Sequence, residues 1–158
     1  MAKILKHSVG VTRAGRWLLG TGRCGVVLME RACGGGIVIP DVIGWRTGGT
    51  DSHLVEVKVS RPDFFADNKK FILRNPGNGV GQHRYYLTPE DMVKPNEVPD
   101  KWGLLYCADK FIRVIKKAKP FEMTTLMIQS EMAMLYSAMR RVEIGAIVIR
   151  EVSDGDED

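Results

Sequence analysis

The sequence predicts an α/β domain built from strands and helices in the order helix, three strands, helix, strand, and three observations lead there. Runs rich in Val, Ile, Leu and aromatic residues, such as Val26-Val27-Leu28 and Leu54-Val55-Glu56-Val57, have the length and composition of strands. Between them lie segments with helical spacing, bounded by glycine and proline. The chain is 158 residues long, 44% hydrophobic and 27% charged, which supplies apolar side chains for one core and excludes wholesale disorder.

In chain order, residues 12–19 predict a short helix that the turn Gly20-Thr21-Gly22 ends. Residues 24–29 form a first strand with Glu30 at its exit, and Gly34-Gly35-Gly36 is a turn. Residues 37–45 make a β-branched run, 46–52 a hairpin loop with Gly48-Gly49, and 53–59 the return strand. Ser60 is placed to cap a second helix, with Asp63 three residues on and Pro62 tolerated in the first turn. Phe64, Phe65, Phe71 and Ile72 give that helix an apolar side, and Asn75-Pro76-Gly77 breaks it near Arg74. Strands follow at 84–88, 103–107 and 111–116, the longest helix at 122–141, and a final strand at 144–150. The expected organisation is a single domain over 1–150 and an acidic, disordered tail over 151–158.

Charge is unevenly placed. The last eight residues hold five acids and no base, so residues 1–150 carry 23 bases against 14 acids, a balance of +9. A basic body suits a polyanion such as nucleic acid. Cys24, Cys33 and Cys107 lack zinc-type spacing and are expected as reduced thiols. No stretch resembles a signal peptide or membrane span, so a cytoplasmic protein without membrane contact is expected. Met123, Met127, Met132, Met134 and Met139 are read mostly as core, yet the apolar positions of the C-terminal helix exceed one stripe, leaving room for a homodimer or partner interface there.

The return strand carries the chemistry. Val55, Val57 and Val59 share one face, while Glu56 and Lys58 lie on the other with Leu54. Asp41 and Glu56 are separated by fourteen residues, and a hairpin sets Asp41 on the neighbouring strand at roughly 5 Å. Whether both carboxylates share a face depends on register or a bulge, which the sequence leaves open. Two such carboxylates repel unless a cation joins them, and oxygen donors favour Mg²⁺ or Mn²⁺. With a lysine beside them, the set fits phosphodiester hydrolysis.

Ile39-Pro40-Asp41, followed after fourteen residues by Glu56-Val57-Lys58, resembles the signature of the PD-(D/E)xK nuclease superfamily. Ser60-Arg61-Pro62-Asp63-Phe64, Tyr85-Tyr86-Leu87-Thr88-Pro89 and Trp102-Gly103-Leu104-Leu105-Tyr106 are similar to its MmcB-like DNA-repair and phage-encoded branch. The resemblance implies a restriction-endonuclease-like core in αβββαβ order, with a mixed central sheet flanked by helices. It further implies a metal-dependent deoxyribonuclease of phage or bacterial DNA metabolism, working in a bacterial cytoplasm. By that resemblance Asp41, Glu56 and the main chain of Val57 hold Mg²⁺ or Mn²⁺, Glu30 approaches the same ion, Lys58 is the catalytic lysine, and Gln82 helps hold water or substrate.

Arg61, Lys69, Lys70, Arg74 and Arg84 flank this set in sequence and are candidate DNA phosphate contacts. Residues 77–81 resemble a phosphate cradle but lack the lysine of a P-loop, and are expected as a flexible loop beside the site. His53 and His83 are candidate metal ligands or general bases, but are read first as structural histidines. The alternative from another class is a DNA-binding accessory protein that keeps the fold with little catalysis. A third is a host-interaction module whose metal is structural.

Overall fold

A computed structural model of the chain describes residues 4–29, 40–46, 48, 50–67 and 76–141. Its elements are α1 (His7–Leu19), β1 (Val26–Met29), β2 (Val42–Trp45), β3 (Ser52–Val57), α2 (Arg61–Ala66), β4 (His83–Pro89), β5 (Gly103–Cys107), β6 (Ile112–Lys116) and α3 (Thr125–Arg141). The strands form one six-stranded sheet in sequential order. β1, β2 and β3 are joined antiparallel, β3, β4 and β5 run parallel, and β6 returns antiparallel. A parallel neighbour cannot be reached by a hairpin, and the stretch through α2 supplies the crossover between β3 and β4. The α/β class and the mixed sheet flanked by helices are therefore as the sequence predicts. The expected strand at 144–150, the tail at 151–158 and the start of the 37–45 run lie outside the described residues.

Alternation divides the core between the two faces. Val42, Val55, Val57, Tyr85, Leu87 and Leu105 turn toward α1 and meet Val11, Ala14 and Leu18. These α1 positions recur at helical spacing and form its apolar stripe. The helix starts five residues earlier than its sequence suggests, and Gly10, a poor helix former on propensity alone, masks that first turn. That glycine earns its place in packing, since a Cβ there would lie 2.5 Å from Val57 Cγ1.

The opposite face carries Ile43, Trp45, Leu54, Tyr86, Leu104 and Tyr106, covered by Phe64 of α2, Met134 of α3 and Trp102. Tyr86 and Trp102 stack with centroids 4.4 Å apart. Of the methionines expected in the core, Met127 and Met134 are buried, while Met132 and Met139 face outward beside Leu126, Ile128 and Tyr136. Among the described residues of α3, Met127, Glu131 and Met134 are the buried ones, at the i, i+4, i+7 spacing of one face.

Glu131 is a buried carboxylate within that stripe. Its oxygens accept hydrogen bonds from Trp45 Nε1, Ser52 Oγ and the Gly81 main-chain N–H, each at 2.8 Å. Ser52 Oγ in turn accepts from the Gln82 N–H. One side chain thus ties β2, β3 and the entrance of β4 to α3. Gly81 takes φ +84°, and a Cβ there would stand 2.5 Å from that of Leu54, so this junction requires glycine. Among the described residues, no helix is long and apolar enough to cross a membrane.

Candidate functional site

Asp41 is brought to the end of β3, beside the main chain that follows Glu56. Val42 pairs with Val55 at the end of this ladder, and Asp41 stands one residue beyond it. Asp41 Oδ2 accepts the Val57 N–H at 2.7 Å and lies 3.4 Å from His7 Nε2 at the start of α1. The N–H and C=O of one strand residue face the same neighbour, so the Val57 carbonyl faces the side of Asp41 too. The sequence signals this juxtaposition through the Pro-Asp that opens β2 and the Glu-Val-Lys that closes β3.

Beyond β3 the parallel pairing continues with the Lys58 N–H donating to the Leu87 carbonyl. The Lys58 side chain is 6% exposed, and its ammonium donates to Asp67 Oδ1 at 3.0 Å and lies 3.9 Å from Asp63. Both carboxylates come from α2 and its C-terminal cap, and the helix is aimed by Ser60, whose hydroxyl accepts the Asp63 N–H as the sequence predicts. Tyr86 sits beside Glu56 in the register, and its hydroxyl feels the Asp67 carboxylate. Burial first, then the charges of Asp67 and Glu56, push the phenol above its ordinary range and keep it neutral. Asp67 thus gathers a lysine and a tyrosine that the sequence reading did not associate with it. The signal available was the Asp-x-x-x-Asp spacing of 63 and 67, one helical turn apart on the helix that follows Lys58.

Two expected site residues are placed elsewhere. Gln82 precedes His83, which pairs with His53 at the N-terminal end of β3, whereas Glu56 pairs with Tyr86. That separates Gln82 from the carboxylates by roughly 13 Å of strand, so it does not join their set. Its main chain instead bonds Ser52 and Phe121. Arg84 is fully buried, donating to the carbonyls of Gly81 and Pro76, with its guanidinium 4.3 Å over the Phe121 ring. Alternation turns it toward the α3 face, so it holds the 76–81 segment to the sheet and reaches no phosphate. Burial lowers it to about 10, still charged at neutral pH. Residues 77–81 likewise lie at the far end of the sheet, pinned by Thr124 on the Gly77 carbonyl and by Glu131 on Gly81.

Arg61 is exposed, and its guanidinium is engaged by the Glu97 carboxylate and the Met92 carbonyl. A phosphate at Arg61 has to displace Glu97. The Arg61 hydrogen bonds, followed by that from the Lys94 main chain, hold the Glu97 carboxyl down at about 2. A depressed carboxyl contributes stability above its unfolded value and loses it as pH falls toward the folded one. The difference in melting temperature between wild type and Glu97→Gln is therefore expected to be constant above pH 5 and to shrink between about pH 4.5 and 2. A difference unchanged down to pH 2 would show that the pair adds nothing. Glu30, Lys69, Lys70 and Arg74 lie outside the described residues.

A second polar cluster occupies the other end of the sheet. Asp51, His53 and His83 bring together a carboxylate oxygen and two imidazole nitrogens, all within 4.8 Å of one another. Burial lowers His53 to about 4 against the pull of Asp51. The sequence reading noted the histidines separately and missed Asp51.

No protein-family model matches the chain, and no curated protein matches it in sequence. Among solved structures the chain is similar to the SPO1766 protein of unknown function from Silicibacter pomeroyi, with a TM-score of 0.63 and 20% identity over 92% of this chain and 98% of that one. At that identity the likeness concerns the fold alone.

Proposed function

We propose that this chain is a metal-dependent nuclease of the PD-(D/E)xK type that hydrolyses DNA phosphodiester bonds in phage or bacterial DNA repair, recombination or processing. The observation that carries the reading is that Asp41 accepts the Val57 N–H at 2.7 Å, beside the main chain that joins Glu56 to Lys58. The αβββαβ order of α1 to β4, in a mixed sheet, supports a restriction-endonuclease-like core.

The donor types fit a hard divalent cation, since two carboxylates and a carbonyl at the end of β3 are all oxygen. Asp41 and Glu56 with the Val57 carbonyl would hold Mg²⁺ or Mn²⁺, which supplies an acidified water and a polarised phosphoryl oxygen when bound. The Val57 N–H and His7 orient Asp41. Asp67 accepts from the Lys58 ammonium and Asp63 lies beside it, which fixes its position and leaves donor hydrogens for water or a phosphoryl oxygen. Lys58 stabilises negative charge as it gathers on the phosphorus centre.

One observation favours the second reading, a DNA-binding accessory protein with little catalysis: two carboxylates of α2 already engage the catalytic lysine. Incubating the protein with linear, circular and branched DNA, in Mg²⁺, Mn²⁺ or EDTA, separates the two. Cleavage that depends on the cation supports the nuclease, and no cleavage across the panel supports the accessory protein. In either case binding is expected to be electrostatic, so that raising salt from 50 to 200 mM weakens it by at least about tenfold. An affinity insensitive to salt would refute that mode of binding.

A further inference from the structure

We propose that Asp51, His53 and His83 form a second metal site, selective for a zinc-class divalent transition ion, on the opposite face of the sheet from Glu56 and at the other end of β3. Alternation places His53 on the α1 side with Val55 and Val57, three residues and roughly 10 Å of strand from Glu56.

The distances fit. Asp51 Oδ1 lies 2.9 Å from His53 Nε2 and 3.2 Å from His83 Nδ1. Ligand atoms around a tetrahedral ion with bonds near 2.0–2.1 Å stand roughly 3.3 Å apart. These contacts have the length of hydrogen bonds but not their direction, and all three atoms are buried without a hydrogen-bond partner. Three inward-facing polar atoms left in that state cost stability, and an ion accepting one lone pair from each removes the cost.

The surroundings orient the ligands. Arg46 Nη1 holds the other Asp51 oxygen at 3.3 Å, and Arg46 Nε is anchored on the Gly22 carbonyl. An outer partner of this kind fixes a ligating carboxylate. His53 and His83 are direct partners in the parallel register, so paired strands set their spacing. Their rings stack with centroids 4.6 Å apart and planes 10° from parallel. Binding turns the rings about χ2, a broad and inexpensive torsion, to aim both lone pairs at one ion. Two imidazoles and one carboxylate suit zinc-class ions, whereas the all-oxygen set around Asp41 suits Mg²⁺. The ion ties the β2–β3 turn to β3 and β4 and leaves a coordination position open beside the partly exposed His83.

Titration of the full chain with Co²⁺, followed by visible absorption, tests this. The expected result is an intense tetrahedral-type spectrum that saturates at one equivalent and is displaced by Zn²⁺. His83→Gln and Asp51→Asn are suitable variants, because their side chains are 22% and 33% exposed and their folding is checked by circular dichroism. Each is expected to weaken Co²⁺ binding on the order of a hundredfold. Asp41→Asn is expected to bind Co²⁺ unchanged, which separates this site from the proposed nuclease site. No saturable spectrum, wild-type binding in either ligand variant, or loss of binding in Asp41→Asn would each overturn the proposal.

Discussion

Lys58→Met is expected to lose DNA cleavage by about a hundredfold or more, the scale of removing one electrostatic stabiliser, while still binding DNA and Mg²⁺. The structure adds a complication and its remedy. Removing the ammonium leaves Asp67 buried without its cation, at a cost of about 3–5 kcal/mol if the carboxylate stays charged. The double variant Lys58→Met with Asp67→Asn restores the charge balance, so it is expected to regain stability but not cleavage. That contrast separates lost chemistry from lost folding. Asp41→Asn is expected to lose cleavage and weaken Mg²⁺ binding together. Cleavage by the double variant at the wild-type rate would remove Lys58 from the mechanism, whatever the fold.

Glu131→Ala is expected to destabilise the protein by about 3–5 kcal/mol, because Trp45 Nε1, Ser52 Oγ and the Gly81 N–H lose their acceptor inside the core. For a chain of this length that corresponds to a drop of roughly 10 °C or more in melting temperature. Glu131→Gln keeps one carbonyl oxygen and is expected to lose about half as much. Urea unfolding of the three proteins measures both differences. A loss under about 1 kcal/mol for Glu131→Ala would mean that water replaces the carboxylate without strain.

The local parts of this architecture were legible because local chemistry determines them. Ser60 announces α2 by its cap, Gly103–Cys107 is a strand by composition, and the Glu-Val-Lys at the end of β3 shows an acid and a base where alternation leaves a face free of valines. What escaped depends on parallel neighbours. His53 and His83 lie thirty residues apart and meet only because β4 crosses over to lie beside β3, a pairing with no hairpin loop to mark it. Arg84 looks like a basic surface residue until the carbonyls of Gly81 and Pro76 and the Phe121 ring are folded around it. Gln82 was assigned by analogy of position, and the direction of β4 sends it to the wrong end of the strand. The Lys58 pair with Asp67 required knowing that α2 turns back over the end of β3, an angle no local signal encodes.

The carboxylate of Glu131 reaches 86 residues back along the chain to Trp45, and this has a consequence for a chain made from its N-terminus onward. Every described residue of the Asp41 site, from His7 to Leu87, has been synthesised before position 131 is added. Until then the Trp45 indole, the Ser52 hydroxyl and the Gly81 amide have no side-chain acceptor and stay hydrated at an open end of the sheet. The nascent protein therefore holds these side chains of the proposed site before it holds the latch that closes its core, and α3 delivers that latch when it docks.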